Sequence, residues 1–327
     1  MSKFKENILT QIKENSGISG GSLSEASSSG DIASTVDLVG KIIDEKYNYS
    51  LGYQICEVQP LKSTFGKTFA VRRKQTEGSF EVVAKDIYPK TNVVKTGYTP
   101  EVWQDMQNML GKNALDSSAR IMGGLSAFEE NKTIISYISN NSENKATLTL
   151  SDSNNFETIV QEIGLKVSRS IVEMNEDPYH SLDSFCILPQ RYAAAILGSY
   201  SFMTEDFSGK TEDERSLFVG RIGRTDFYVN PFKNDTQGFN DDYNEDYANE
   251  GFDTSALEFA YVGLKSKDNG ESSLIFAPYI YEMQNVIDPD TGDNTLFLYN
   301  RYGLVFNPLH QPIQGKSMLH KFLIEEA

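Results

Sequence analysis

Apolar residues recur along the chain with two periods, and the changes between them mark out its organisation. Residues 2–15 place Phe4, Ile8, Leu9 and Ile12 at helical spacing with lysine and glutamate on the other face. Residues 16–30 read SGISGGSLSEASSSG, a Gly/Ser tether without periodicity. From 53 to 88 the pattern becomes strand-like. Residues 68–73 (TFAVRR) and 80–87 (FEVVAKDI) flank the turn signal QTEG at 75–78 and predict a long hairpin. Residues 100–140 read as helical. The clearest helix lies at 154–175, where Phe156, Ile159, Val160, Ile163, Val167, Ile171 and Met174 recur at steps of three and four. Its length marks it as the packing spine, and Asp177-Pro178 ends it. Beyond it, strands are expected at 185–188, 225–230, 257–264, 274–281, 295–299 and 302–306, with a helix at 190–200. The acidic stretch 234–253 separates two of these strands, and DPDTGDN at 288–294 is a turn. The expected class is α+β, because no regular βαβ repeat occurs.

Charge narrows the partners. The 327 residues carry 30 basic and 46 acidic side chains, a formal charge of −16, which excludes a protein that coats nucleic acid through a basic face. A hydrophobic content of 39% excludes a disordered acidic tail. Cys56 and Cys186 are too few and too far apart for a disulfide framework or zinc pair, which suits a reducing compartment. The charged N-terminus is not a secretory signal, and no apolar run is long enough to span a bilayer.

Candidate chemistry is sparse. Residues 61–68 (LKSTFGKT) end like a phosphate-binding loop, but Leu61 stands where the first glycine belongs and strand-like residues follow. His180, Asp183, Ser184 and Cys186 cluster in sequence without matching a nucleophile motif, and a capped turn before a strand explains them. Asp288 to Gly292 lacks the oxygen run and closing glutamate of a calcium loop. No cofactor or metal is expected. The densest basic run, Arg72, Arg73 and Lys74, is either a solvated hairpin edge or a contact to an acidic partner. In 234–253, seven acids interleave with Phe239, Tyr243, Tyr247 and Phe252. Solvation explains the acids but not the aromatics, so a protein interface competes with local packing, and weak cation binding is a third reading.

Several segments in order resemble the major capsid proteins of T-even-type tailed bacteriophages. Arg301, Tyr302 and Gly303 followed by Asn307 and Pro308 are similar to the family's C-terminal RYG…NP signature. Val262-Gly263-Leu264-Lys265 with Pro278 and Tyr279 resembles its VGxK…PY pair. Residues 52–66, with Gln59 and Pro60, look like the segment leading into the family's extended loop, and 227–232 (FYVNPF) is similar to its Asn-Pro-aromatic strand end. The resemblance spans 52–308, about three-quarters of the chain. This chain is shorter than typical members, with no room for their insertion domain.

The resemblance implies an α+β, Hong Kong 97-like phage capsid fold. Its division would be a removable helix and linker (1–25), an N-terminal arm (26–56), an E-loop hairpin (57–98) and a peripheral domain with the spine helix (99–180). An axial domain (181–270) and return strands with the C-terminus (271–327) would follow. The implied function is a structural, non-enzymatic subunit of the icosahedral head enclosing phage DNA, found in the virion and assembled in the host cytoplasm. Implied partners are other copies in hexamers and/or pentamers, a scaffold that would take the apolar stripe of 2–15, a prohead protease, and double-stranded DNA held without sequence-specific contact. No membrane partner is expected. Arg72, Arg73 and Lys74 would reach a neighbouring subunit. Leu23-Ser24-Glu25-Ala26 resembles the family's protease site, with cleavage between Glu25 and Ala26, and Ile324-Glu325-Glu326-Ala327 matches the same short pattern. A vertex (penton) protein of the same family and an encapsulin-like nanocompartment shell are alternatives; a soluble hydrolase using the 180–186 region is a reading of another class.

Overall fold

The computed structural model describes residues 30–74, 79–110, 114–151, 155–174, 183–198, 217–232, 258–265, 272–287, 289, 291–310 and 317–326. It opens with helix α1 (Gly30–Tyr49) and the short α2 (Leu51–Ile55). Ser50 separates them; its backbone is extended and its hydroxyl accepts from Gly52 N at 3.1 Å, so it ends one helix and caps the next. Strands β1 (Glu57–Val58), β2 (Gly66–Lys74), β3 (Ser79–Ile87) and β4 (Lys90–Tyr98) follow. Helices α3 (Pro100–Leu110) and α4 (Ala114–Asn141) come next, with proline at the first position of α3, where its missing N–H costs nothing.

The second half contains β5 (Glu143–Asn144), β6 (Leu148–Leu150), α5 (Phe156–Met174), β7 (Ser184–Leu188) and α6 (Gln190–Gly198). Asn155 caps α5, its side-chain oxygen accepting from Glu157 N at 3.0 Å. Then come β8 (Phe218–Ile222), β9 (Thr225–Val229), β10 (Phe259–Leu264), β11 (Leu274–Ile287), β12 (Asn294–Phe306) and β13 (Leu319–Glu326). Gly223 supplies the left-handed residue, φ 62°, in the tight β8–β9 turn.

Among the described residues the strands form three sheets. A four-stranded sheet runs β1-β11-β12-β4, with the long β11–β12 hairpin at its centre and a register shift between Pro278 and Ile280. A seven-stranded sheet runs β5-β13-β10-β7-β9-β8, with β6 also on β13. The third is the isolated β2–β3 ribbon, paired from Gly66 with Ile87 to Lys74 with Ser79. The expected hairpin is present. Two expected strands at 295–299 and 302–306 are one continuous strand, and the expected 274–281 extends to Ile287.

The alternation of side chains explains the layering. On β7, Phe185 and Ile187 join one buried cluster while Cys186 and Leu188 join another, so this central strand is buried on both faces. Tyr228 against Phe227 on β9, and Tyr261 against Ala260 and Val262 on β10, divide the same way. One face meets the core built by α1, α2, α4 and the four-stranded sheet; the other is covered by α5 and α6.

This corrects the expected spine. The 19-residue α5 does fold where the periodicity places it, but it packs on β6, β10 and α6 over the seven-stranded sheet. The longest described helix is the 28-residue α4, which carries α1, α2, β4 and β12. Its buried face includes Ser118, Ser126, Glu130, Asn131 and Ser139 among Ala119, Met122, Ile134, Ile135 and Ile138. Polar residues on the inward face erase the apolar stripe that identifies α5.

Candidate functional site at the base of the hairpin

The polar residues on α4 belong to a buried ionic joint. Lys46 of α1 and Glu130 of α4 are both 0% exposed and lie 2.6 Å apart, Nζ to Oε2. The Ser50 hydroxyl donates to Glu130 Oε1. Next along α4, the Asn131 side chain accepts from Leu51 N at 2.7 Å and donates to Tyr49 O at 2.9 Å, bridging the break between α1 and α2. The ammonium of Lys46 also sits over the rings of Tyr281 (4.8 Å) and Tyr302 (5.5 Å) on the four-stranded sheet. Burial pulls the Lys46 ammonium below its ordinary value, and the neighbouring Glu130 carboxylate pulls it back up. Burial, with the Glu130 charge second or third, pushes the Tyr53, Tyr281 and Tyr302 hydroxyls well above theirs. Arm, long helix and sheet thus meet on one charge pair.

A second set of contacts fixes the hairpin to that sheet. Gln59 N donates to Phe276 O and Leu61 N to Pro278 O, each at 2.9 Å, which continues the parallel pairing of β1 with β11. The Gln59 side chain then behaves like an extra strand residue: its Nε2 donates to Phe69 O at 2.8 Å and its Oε1 accepts from Phe69 N at 3.0 Å. On the other side, Ile87 closes over Gly303. A Cβ at Gly303 would stand 2.5 Å from Ile87 Cγ1, so only glycine lets the base of β3 lie against β12. The Arg301 guanidinium stacks over the Tyr279 ring at 5.6 Å.

Asn307 and Lys265 act where the chain passes between the sheets. Asn307 N donates to Ser273 O at 3.0 Å, its side chain donates to Ser272 O at 2.7 Å, and its Oδ1 accepts from Leu309 N at 2.9 Å. The Ser273 hydroxyl accepts from Leu264 N and donates to Met318 O, both at 2.6 Å. Lys265 Nζ donates to Gln54 O at the end of α2.

The structure therefore brings Gln59, Pro278, Tyr279, Arg301, Tyr302 and Gly303 together around the hairpin base, with Asn307 at the crossing beyond; Pro60 and Pro308 follow directly in the same segments. Lys46, Ser50, Glu130 and Asn131 were not singled out by sequence. Their only signal was charge and amide groups placed inside helical apolar faces. Arg72, Arg73 and Lys74 lie on β2 opposite Glu81, Phe80 and Ser79, with their side chains outside what is described. Glu25, Ala26, Phe239, Tyr243, Tyr247 and His180 fall outside the described residues. In the second cleavage-like match, Ile324, Glu325 and Glu326 lie in β13, paired with β6 and with Ile324 buried, so these three residues offer no open strand to a protease.

Of the 180–186 cluster, Ser184 and Cys186 lie among the described residues, and neither is placed as an activated nucleophile. Cys186 is in the core and burial pushes its thiol up, opposite to what a reactive thiolate needs. The Ser184 hydroxyl is engaged with Thr225 Oγ1 at 2.9 Å. Among the described residues no acid–histidine–cysteine group could hold a metal ion, and no helix is long and apolar enough to cross a membrane.

The described residues form a two-layer α+β body carrying a separate two-stranded ribbon, with the ribbon's base and helices α1 and α2 secured by dedicated side-chain contacts, an organisation built for structure and not around a reactive centre. Residues 74–322 match the family described as Major capsid protein Gp23, and the chain belongs to that family. It is a major capsid protein of the T-even type, built as an α+β chain. As such it is a virion component that self-assembles into the icosahedral head. No curated protein matches it. Among solved structures, it is similar to a virus-like particle from Pyrococcus furiosus (14% identity, 87% of this chain and 97% of that one, TM-score 0.49). It is also similar to a chain of Mycobacterium phage Che8 (12% identity, 80% and 85%, TM-score 0.44) and to the mature capsid of bacteriophage PhiM1 (10% identity, 85% and 87%, TM-score 0.44).

Proposed function

We propose that this subunit is held in the head chiefly by its hairpin, laid over a neighbouring copy, and by its N-terminal arm. The observation that carries this is the apolar face of the ribbon. Phe69, Val71, Val82 and Ala84 share one side by register, with Phe69 50% and Val82 62% exposed. A two-stranded ribbon is marginal in water without a further surface to pack on. Covering what remains exposed of these two side chains contributes about 1–1.5 kcal/mol each, roughly half the value of full burial. Arg72, Arg73 and Lys74, toward the ribbon's tip, would meet an acidic neighbour, since every copy carries −16.

In this reading the division into arm (26–56), hairpin (57–98), peripheral (99–180), axial (181–270) and return (271–327) segments describes roles in the shell. The segment 1–25 engages a scaffold in the host cytoplasm and is cut between Glu25 and Ala26 by a prohead protease. Phe239, Tyr243 and Tyr247 contribute to a contact between copies. The subunit is not an enzyme, and its negative charge keeps packaged double-stranded DNA from adhering to the wall. The test is assembly of Phe69→Ser/Val82→Ser. Both residues are exposed in the single chain, so its unfolding should stay within about 0.5 kcal/mol of wild type while assembly weakens. Shells forming at the wild-type concentration threshold would refute the role of the hairpin.

A further inference from the structure

Two lysines of the seven-stranded sheet reach across to the other layer in the same way. Lys265, directly after β10, sits over the ring of Tyr228 in its own sheet at 5.9 Å and donates to Gln54 O in the last turn of α2. The Tyr228 hydroxyl shares that carbonyl at 3.4 Å. Lys321, on β13, sits over the ring of Phe259 in its own sheet at 5.2 Å and donates to Ser139 O in the last turn of α4 at 2.6 Å. In each case an aromatic ring of one layer seats the cation, and the C-terminal carbonyls of a helix in the other layer receive it. A helix C-terminus attracts positive charge and leaves its last carbonyls without intrahelical partners.

We propose that Lys265 and Lys321 form a two-point joint that sets the angle between the two layers, and through it the curvature at which this subunit closes a shell. The inference rests on the shell-forming role assigned above. An ammonium on a flexible stem has three donors and little directional demand. Seated by its ring, it can engage the free carbonyls at one helix end, and two such contacts at separate helix ends restrict how one layer turns against the other. The Lys46–Glu130 pair is fully buried and ties α1 to α4 within one layer, so it fixes that layer as a unit. The partly buried lysine contacts instead cross from one layer to the other, beside the apolar core that the layers share.

The test compares full-length wild type, Lys265→Met/Lys321→Met and Lys265→Arg/Lys321→Arg. Electron cryomicroscopy measures shell diameters, and amide hydrogen exchange is followed at residues 51–55 and 136–141. The methionine variant should fold, form shells of mixed diameter or open sheets, and exchange at least about tenfold faster at those two helix ends, with the β11–β12 hairpin unchanged. The arginine variant, which keeps charge and reach, should return both readouts toward wild type. Uniform wild-type diameters from the methionine variant with unaltered exchange would overturn the joint. So would a methionine variant that cannot fold, because the lysines would then serve stability alone. Failure of the wild-type chain to form shells would instead count against the assembly reading, and the exchange comparison would still decide the joint.

Discussion

Replacing Lys46 by methionine removes the cation that pairs with the fully buried Glu130. Both partners are fully buried at 2.6 Å, so the carboxylate would keep the Ser50 hydroxyl and face the rings that the ammonium had occupied. Breaking a buried pair by deleting one member costs about 3–5 kcal/mol, because the surviving charge stays desolvated without its partner. That is a large share of a domain's total of about 5–15 kcal/mol. Deleting both charges, as Lys46→Met/Glu130→Leu, removes the stranded carboxylate and leaves mainly the Ser50 hydroxyl without an acceptor, about 1–3 kcal/mol. The two substitutions should therefore be strongly non-additive, with a coupling of at least about 2 kcal/mol. Urea unfolding of the unassembled chain, wild type against both singles and the double, measures this from the shift in midpoint at constant slope. A Lys46→Met variant within about 1 kcal/mol of wild type, or single costs that simply add, would refute the joint as described.

Other outcomes follow from the same geometry. Gly303→Ala drives a methyl into Ile87 at the hairpin root and should lower stability by about 1–3 kcal/mol, read as a fall in Tm; an unchanged Tm contradicts the close approach. Gln59→Ala deletes two exposed hydrogen bonds to Phe69, so amide exchange along β2 should accelerate while global unfolding moves by no more than about 1–2 kcal/mol. His320 is 2% exposed and faces Glu143, Lys145, Glu173 and His310, and burial first, then Lys145, holds it down to about 4. The unfolded chain thus binds a proton at this residue through the interval from about 6.5 to 4 in which the folded chain does not. Stability from this group is complete above about 6.5 and is lost as pH falls through that window, by at most about 3 kcal/mol. Lys145 holds the Glu173 carboxyl low and adds a smaller loss of the same sign. His320→Gln should flatten the acid limb of the unfolding curve, and an unaltered limb would contradict the assignment.

How far the fold could be read from the chain depended on where polar residues lie. The ribbon was legible because 68–73 and 80–87 alternate around a turn signal, and α5 because six of its apolar residues, from Ile159 to Met174, keep helical steps into one apolar core. The more central α4 was legible only as a helix. Its inward face carries three serines together with Glu130 and Asn131, which receive Lys46, Ser50 and the start of α2, so polar residues that tie it to its neighbours are those that remove its periodicity. β13 was missed for a different reason. LHKFLIEE keeps no period of two, with His320 beside Lys321, three apolar residues in a row and two closing glutamates, and its strand form depends on β10, β5 and β6 beside it.

The family signature shows the same division. Gln59, Gly303 and Asn307 could be matched as letters, but their purposes depend on partners 10, 216 and 34 positions away, Phe69, Ile87 and Ser273. Those purposes turn out to be mechanical: rooting a projecting ribbon and crossing between sheets. Side chains selected for such contacts make no chemistry that a motif search for catalysis would detect.

Electron cryomicroscopy of particles assembled from the full-length protein shows whether this chain builds a closed shell through its extensions. Closed icosahedral particles are expected, in which the ribbon from Gly66 to Ile87 lies on an adjacent copy with Phe69 and Val82 covered. Monomers alone, or shells in which that ribbon touches no other subunit, would contradict it.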